Sequence, residues 1–266
     1  MDSGIGGLSY LERARELLQD EFFIYLAVTA GFPYGLKDSS TIRDIVLDRV
    51  DRLRRHWDPK CLVIACNTAS QVALHAIRMS NPDLPVIGTV PAIKPAAASS
   101  VTRIIGVLAT DRTVRDPYLD RLIENFGREC TVLRCEAGGL VEFIEKRYCD
   151  SNEEERISVV ESYISGLVNE GVDRIVLACT HFLHVAGEIE EVCRRMSSSI
   201  VVVDSREGVA RRLVHVLRES APRAETTIPG TGILLVSAAG AYEDGEGSYS
   251  AWASRFGLSG PYLLDS

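Results

Sequence analysis

Two cysteines in this sequence stand in the same local setting. In "VIACNTAS", Val63 to Ser70, a branched apolar run leads through Ala65 to Cys66, Asn67 and Thr68. In "IVLACTHF", Ile175 to Phe182, a similar run leads through Ala178 to Cys179, Thr180 and His181. An apolar run followed by small polar residues reads as a strand that hands over to a helix, whose first turn carries free backbone N–H groups. A helix N-terminus favours the thiolate and lowers a cysteine pKa from about 8.5, which makes the sulfur a usable base or nucleophile. One cysteine at such a place is more often packing than chemistry. Two matched ones, approaching a bound molecule from opposite sides, could take a proton from one face of a carbon and return one to the other. Inversion of a stereocentre by positioned acid and base requires that arrangement.

The elements that must position these thiols follow from periodicity. Short β-branched runs alternate with helical stretches, the pattern of parallel strands joined by helical crossovers in an α/β protein. Strands are expected near 22–28, 61–65, 85–90, 103–109, 130–135, 174–178, 199–204 and 232–237. In "SSTIRDIVLDRVDRLRRH", Ile42, Ile45, Val46, Val50 and Leu53 recur at helical spacing, with Ser39 or Ser40 as the cap. Cys179 follows Cys66 by 113 residues, too long a period for a solenoid and suited to two similar half-proteins. The expected architecture is two similar parallel-sheet α/β domains related by pseudo-twofold symmetry, with the active site in the cleft between them. Residues 1–92 plus 207–266 would form the first, on the Cys66 side, and 93–206 the second, on the Cys179 side.

With 266 residues, 46% of them hydrophobic and 25% charged, the chain is long enough for two cores of ordinary composition. A formal charge of −8 argues against nucleic acid as the main partner. No apolar run approaches the roughly 20 residues that span a bilayer, and no signal peptide is expected. Seven cysteines without a secretion signal fit a reducing cytoplasm better than a disulfide framework. The pairs Cys61/Cys66 and Cys130/Cys135 share a spacing that, on a strand, points their members to opposite faces, which disfavours a metal site. Cys61, Cys130, Cys135, Cys149 and Cys193 are read as packing or surface thiols, and His75 and His184 as structural.

Six segments in order resemble one family: "DSGIGGLS" at 2–9, "PYG" at 33–35, "ACNTAS" at 65–70, "ATDRTV" at 109–114, "LVE" at 140–142 and "CTHF" at 179–182. The first has neither the lysine of a P-loop nor the spacing of a dinucleotide fingerprint. Together they are similar to the cofactor-independent glutamate racemases of the aspartate/glutamate racemase superfamily. The resemblance implies interconversion of L- and D-glutamate without pyridoxal phosphate or metal, in the cytoplasm, to supply D-glutamate for bacterial peptidoglycan. It implies Cys66 and Cys179 as the two acid/base residues, with Asp2 assisting the first and His181 the second. Ser3, Tyr34, Gly35, Asn67, Thr68 and Thr180 match positions that hold the substrate, and Thr110, Thr113 and Glu142 match further pocket positions. The family is commonly dimeric, so a homodimer is an assembly the resemblance allows.

Three departures qualify the match. The family usually has an apolar strand immediately before its "DSG", and here only Met1 precedes Asp2, so Asp2 and Ser3 are expected on a free terminus. A start placed too late accounts for this better than a weakened relative does. Ala27 and Val28 stand where Gly-Asp is common, and Gly31 where Arg is common, which puts the polar support of the Tyr34 loop in doubt. Leu183 and His184 replace a usual Pro-Leu. The alternatives are a relative acting on aspartate or another small acid, and a catalytically weakened binding protein. A cysteine hydrolase explains only one of the two thiols.

Overall fold

The computed structural model describes residues 1–196, 199–219, 232–238 and 249–264. The chain divides into two compact units, Met1–Thr89 with Arg206–Ser266, and Val90–Ser205. In the first, α1 (Leu8–Leu17), β1 (Phe23–Ala27), α2 (Ser39–His56), β2 (Leu62–Ile64), α3 (Asn67–Ser80) and β3 (Val86–Gly88) come in turn. The second holds α4 (Ile93–Ser99), β4 (Ile104–Ala109), α5 (Asp111–Arg115), α6 (Pro117–Phe126), β5 (Thr131–Glu136), α7 (Gly138–Lys146), α8 (Glu153–Asn169), β6 (Arg174–Leu177), α9 (Ala186–Arg195) and β7 (Val201–Val203). The chain then returns to the first unit with α10 (Arg206–Glu219), β8 (Gly232–Val236), α11 (Tyr249–Arg255) and β9 (Ser259–Leu263). Among the described residues no helix is long and apolar enough to cross a membrane.

All eight expected strands form, and every named strand pair is parallel. A ninth, β9, was not expected, because a Gly-Pro pair argues against a strand interior. It lies at the edge, beside β8, where Pro261 removes no ladder donor that a further strand would need. The cap of α2 also differs from expectation. Asp38, not Ser39 or Ser40, accepts the Thr41 N–H at 2.9 Å, since a carboxylate gains from the helix dipole as well as from the hydrogen bond.

The second unit carries the order β5-β4-β6-β7. Ile105, Val107, Leu108, Ile175 and Val176 are fully enclosed, as strands covered on both faces must be. The loop before β4 is pinned by Asp173, which accepts from Ser100 Oγ at 2.6 Å and from the backbone N–H groups of Val101 and Thr102. That loop includes Arg103 at φ 59°, a left-handed conformation tolerated only where the surroundings fix it.

The first unit corrects the expectation of a free terminus. Asp2 donates its N–H to Leu26 O at 3.0 Å, and Val28 N–H donates to Asp2 O at 2.8 Å. On the other side Ala65 N–H donates to Met1 O at 2.8 Å, and the Met1 amino group donates to Val63 O at 2.9 Å. Met1 and Asp2 therefore run between β1 and β2 and tie the β1-β8-β9 sheet to the β2-β3 pair. Asp2 and Ser3 are buried, because two residues of strand pairing on both sides suffice to seat them. The following turn is held by Tyr25, whose hydroxyl donates to Gly4 O at 2.8 Å. Gly7 is needed there, since a Cβ would lie 2.7 Å from that of Ala65.

Replacing Asp173 by alanine leaves three donors of the β4 loop without their acceptor. It is expected to cost about 2–4 kcal/mol, read as a lowered urea midpoint; a change under about 0.5 kcal/mol would show that the loop holds itself.

Candidate active site

Cys66 follows β2 and occupies the N-cap of α3, with extended dihedrals of −143° and 120°. Three groups of the first unit meet around it. Its sulfur lies 3.9 Å from Ser3 Oγ. Asp2 is 2% exposed, and its Oδ2 accepts the Gly7 N–H at 3.1 Å. Tyr34 is 3% exposed, and its phenol is pushed well above its usual range, first by burial and then by the negative charges available on Cys66 and Asp2. The Tyr34 hydroxyl and both side-chain atoms of Asn67 are buried without a protein partner. Buried polar atoms in proteins are mostly paired, so three unpartnered ones near one sulfur mark a place that a polar ligand would complete.

The Tyr34 loop has support that the sequence did not announce. Ser237, at the end of β8, accepts the Ala30 N–H at 3.1 Å, and Gly31 donates to Val28 O at 3.0 Å. A Cβ on Gly31 would come within 2.8 Å of the Tyr34 ring, so the missing side chain at 31 is what lets that ring pack where it does. Gly35 lies in the short 3₁₀ turn Tyr34–Leu36. Thr68, buried in the first turn of α3, completes this half.

In the second unit Cys179 follows β6 and caps the 3₁₀ turn Thr180–Val185. Its sulfur lies 3.8 Å from His181 Nδ1, and His181 Nε2 lies 2.7 Å from Glu145 Oε1. Both His181 and Glu145 are buried. Burial alone would push the imidazole pKa down, but the Cys179 sulfur and the Glu145 carboxylate outweigh it and hold His181 well above the usual range. The result is an imidazole set between a sulfur and a carboxylate. Thr110 caps α5, its hydroxyl accepting the Thr113 N–H at 3.3 Å and lying 3.1 Å from Thr113 Oγ1. Thr180 is buried beside the cysteine.

Topology explains why these residues gather. In the second unit the strand order reverses between β4 and β6, and a parallel sheet opens a crevice beyond the carboxyl ends of the strands at such a point. Thr110 follows β4 and Cys179 follows β6. In the first unit the reversal falls between Met1–Asp2 and β2, so Ser3 and Cys66 take the corresponding places.

Glu142 and Glu145 divide differently from expectation. The Glu142 side chain is 66% exposed and pairs with Lys146 at 2.6 Å, whereas Glu145, one turn on, is the residue that meets His181. The signal was present: Val141, Ile144 and Glu145 share one side of α7, and a carboxylate on an otherwise apolar stripe must find a partner. Among the described residues no group of three or more His, Cys, Asp or Glu side chains is arranged to hold a metal ion.

The chain is similar to known proteins over most of its length. The model of the Asp/Glu/Hydantoin racemase family matches residues 7–213, a span that includes both cysteines. A glutamate racemase of Sphingopyxis alaskensis is 40% identical over 240 residues, covering 89% of this chain and 87% of that protein. One from Glaesserella parasuis is 39% identical over 220 residues, covering 82% and 80%. Among solved structures, Escherichia coli glutamate racemase in complex with L-glutamate and the activator UDP-MurNAc-Ala superposes with a TM-score of 0.87 at 32% identity, over 99% of this chain and 96% of that one. The chain belongs to the Asp/Glu/hydantoin racemase family.

Proposed function

We propose that this chain interconverts L- and D-glutamate by proton transfer through Cys66 and Cys179, and so supplies D-glutamate for bacterial peptidoglycan. The observation that carries the reading is the matched pair of half-sites. Each cysteine ends a parallel strand at a reversal of strand order, one beside unpartnered Asn67 and Tyr34, the other backed by His181 and Glu145. The relatives named above are glutamate racemases, and one of them was crystallised with L-glutamate.

In this mechanism one thiolate takes the α-proton and becomes a thiol. The electron pair of the broken C–H bond passes into the α-carboxylate, giving an enolate-like carbanion. The opposite thiol then donates its proton to the other face and is left as a thiolate; the reverse reaction exchanges the roles. Asp2 serves the Cys66 side and His181 the Cys179 side, keeping each sulfur able to switch state. Asn67, Thr68, Thr180, Ser3, Tyr34, Gly35, Thr110 and Thr113 supply hydroxyl, amide and backbone groups for the substrate's charged ends, a neutral donor set that binds carboxylates without a cationic clamp. Glu145 is a positioning residue, acting on the sulfur through His181.

Cys66→Ala and Cys179→Ala are each expected to lower turnover of both enantiomers at least about 10³-fold, followed by circular dichroism. Unchanged racemisation in either variant would remove the two-base mechanism. Glu145→Gln takes away one of the charges that hold the His181 pKa high, so the limb of the kcat profile that reports the His181–Cys179 pair should move to lower pH, with KM little changed. His181 is charged below its folded pKa, and removing an anion lowers that pKa, which fixes the sign of the shift. A parallel loss at every pH, with no displacement of the limb, would reduce Glu145 to a packing role.

A further inference from the structure

Gln71 directly follows the ACNTAS segment and lies one helical turn beyond Asn67 on α3. Glutamine is mostly an exposed residue, with its amide in water. Here the order is inverted. Gln71 is partly exposed, yet both polar atoms of its amide, Oε1 and Nε2, are enclosed and have no protein partner. Turning an amide away from water without giving it a hydrogen bond is costly, so such a head needs an occupant to face. Among the described residues, Asn67 and Gln71 are the two whose side-chain amides are enclosed at both oxygen and nitrogen without a protein partner.

The helix brings these two amides together. Residues three and four apart on a helix are neighbours, with Cβ atoms about 5–6 Å apart, and helical side chains lean toward the N-terminus. Gln71 therefore lies over the turn formed by Asn67 and Thr68, its neighbours four and three residues back. The other faces of α3 are engaged elsewhere: Ser70 Oγ donates to Ile64 O at 3.1 Å and accepts the Thr89 N–H at 3.0 Å, while Ala69, Ala73 and Ile77 lie in the core. At the start of the helix the first-turn N–H groups have no acceptor within it and attract an anion, and Asn67 beside them is 3% exposed. An amide leaning over that turn adds one more N–H donor for the same charge.

We propose that Gln71 is a further substrate-binding residue of the Cys66 half-site, its Nε2–H donating to a carboxylate of the amino acid held at the first turn of α3, beside the Asn67 amide. The proposal rests on the glutamate reading given under the proposed function and adds to it a residue that none of the six family-like segments contains. An amide suits the place. As a neutral donor it strengthens the hold on a carboxylate without setting a fixed charge near the Cys66 sulfur, whose own charge must come and go in each turnover.

The test uses the whole chain with Gln71→Met, which keeps the length of the side chain and removes its donor, and with Gln71→Glu, which keeps its shape and adds a negative charge. Glutamate affinity by calorimetry and the thermal midpoint without glutamate are measured for each, beside kcat and KM. Gln71→Met is expected to weaken glutamate binding and raise KM about 10-fold or more, with kcat little changed. Its midpoint without glutamate should stay level or rise, because an enclosed amide with no protein partner has been removed. Gln71→Glu should bind glutamate more weakly still, by repulsion between like charges. Unchanged affinity in Gln71→Met overturns the proposal and assigns the amide to an ordered water. Weaker affinity together with a lower midpoint without glutamate overturns it as well, since lost packing then explains both. Binding is read apart from turnover: a parent chain that binds glutamate without racemising it defeats the racemase reading and leaves the Gln71 comparison intact, whereas one that binds no glutamate overturns both.

Discussion

A parallel sheet in which the strand order reverses leaves a crevice beyond the carboxyl ends of the two strands that part company, and both halves of the site rest on that single constraint. At the reversal in the second unit, β4 and β6 deliver Thr110 and Cys179 to adjacent strand ends. At the reversal in the first, Met1–Asp2 and β2 deliver Ser3 and Cys66, with their side chains 3.9 Å apart. The cysteines need no loop of special design. Each is the residue on which a buried strand stops and a helical turn begins.

The two halves share this backbone plan and differ in how they satisfy buried polarity. Around Cys179 the protein supplies its own counter-groups: His181 lies between the sulfur and Glu145, and a buried carboxylate–imidazole pair at 2.7 Å balances what would otherwise be two isolated charges. Around Cys66 it leaves the Tyr34 hydroxyl and the Asn67 amide without protein partners, which is tolerated where a ligand completes the bonds. Polar partners are therefore built into one half and left open in the other. The Tyr34 loop illustrates how local losses are offset, with Ser237 reaching across from β8 and Gly31 making room for the ring.

Much of this was legible before any coordinates. Eight strands and the amphipathic α2 follow from alternation and helical spacing, which are local properties and survive whatever packs against them. The matched cysteines were legible for the same reason, since a strand end followed by capping residues is a pattern of a few neighbours. The edge strand β9 was hidden by its Gly-Pro, and Asp38 by the two serines beside it, because edge position and the choice among adjacent caps depend on surroundings rather than on composition.

The sequence by itself determined the residue types, their order and the strand-to-helix handover at Cys66 and Cys179, all of which act over a handful of residues. Only the tertiary structure decided that the partner of Glu145 is His181, since the apolar stripe of α7 marks its buried side but not what packs against it. It alone decided that Met1 and Asp2 are hydrogen-bonded between β1 and β2 and not a loose terminus. Hydrogen bonds to the Leu26 and Val63 carbonyls and from the Val28 and Ala65 N–H groups make that assignment, and residues so distant in sequence leave no mark on the two residues they hold.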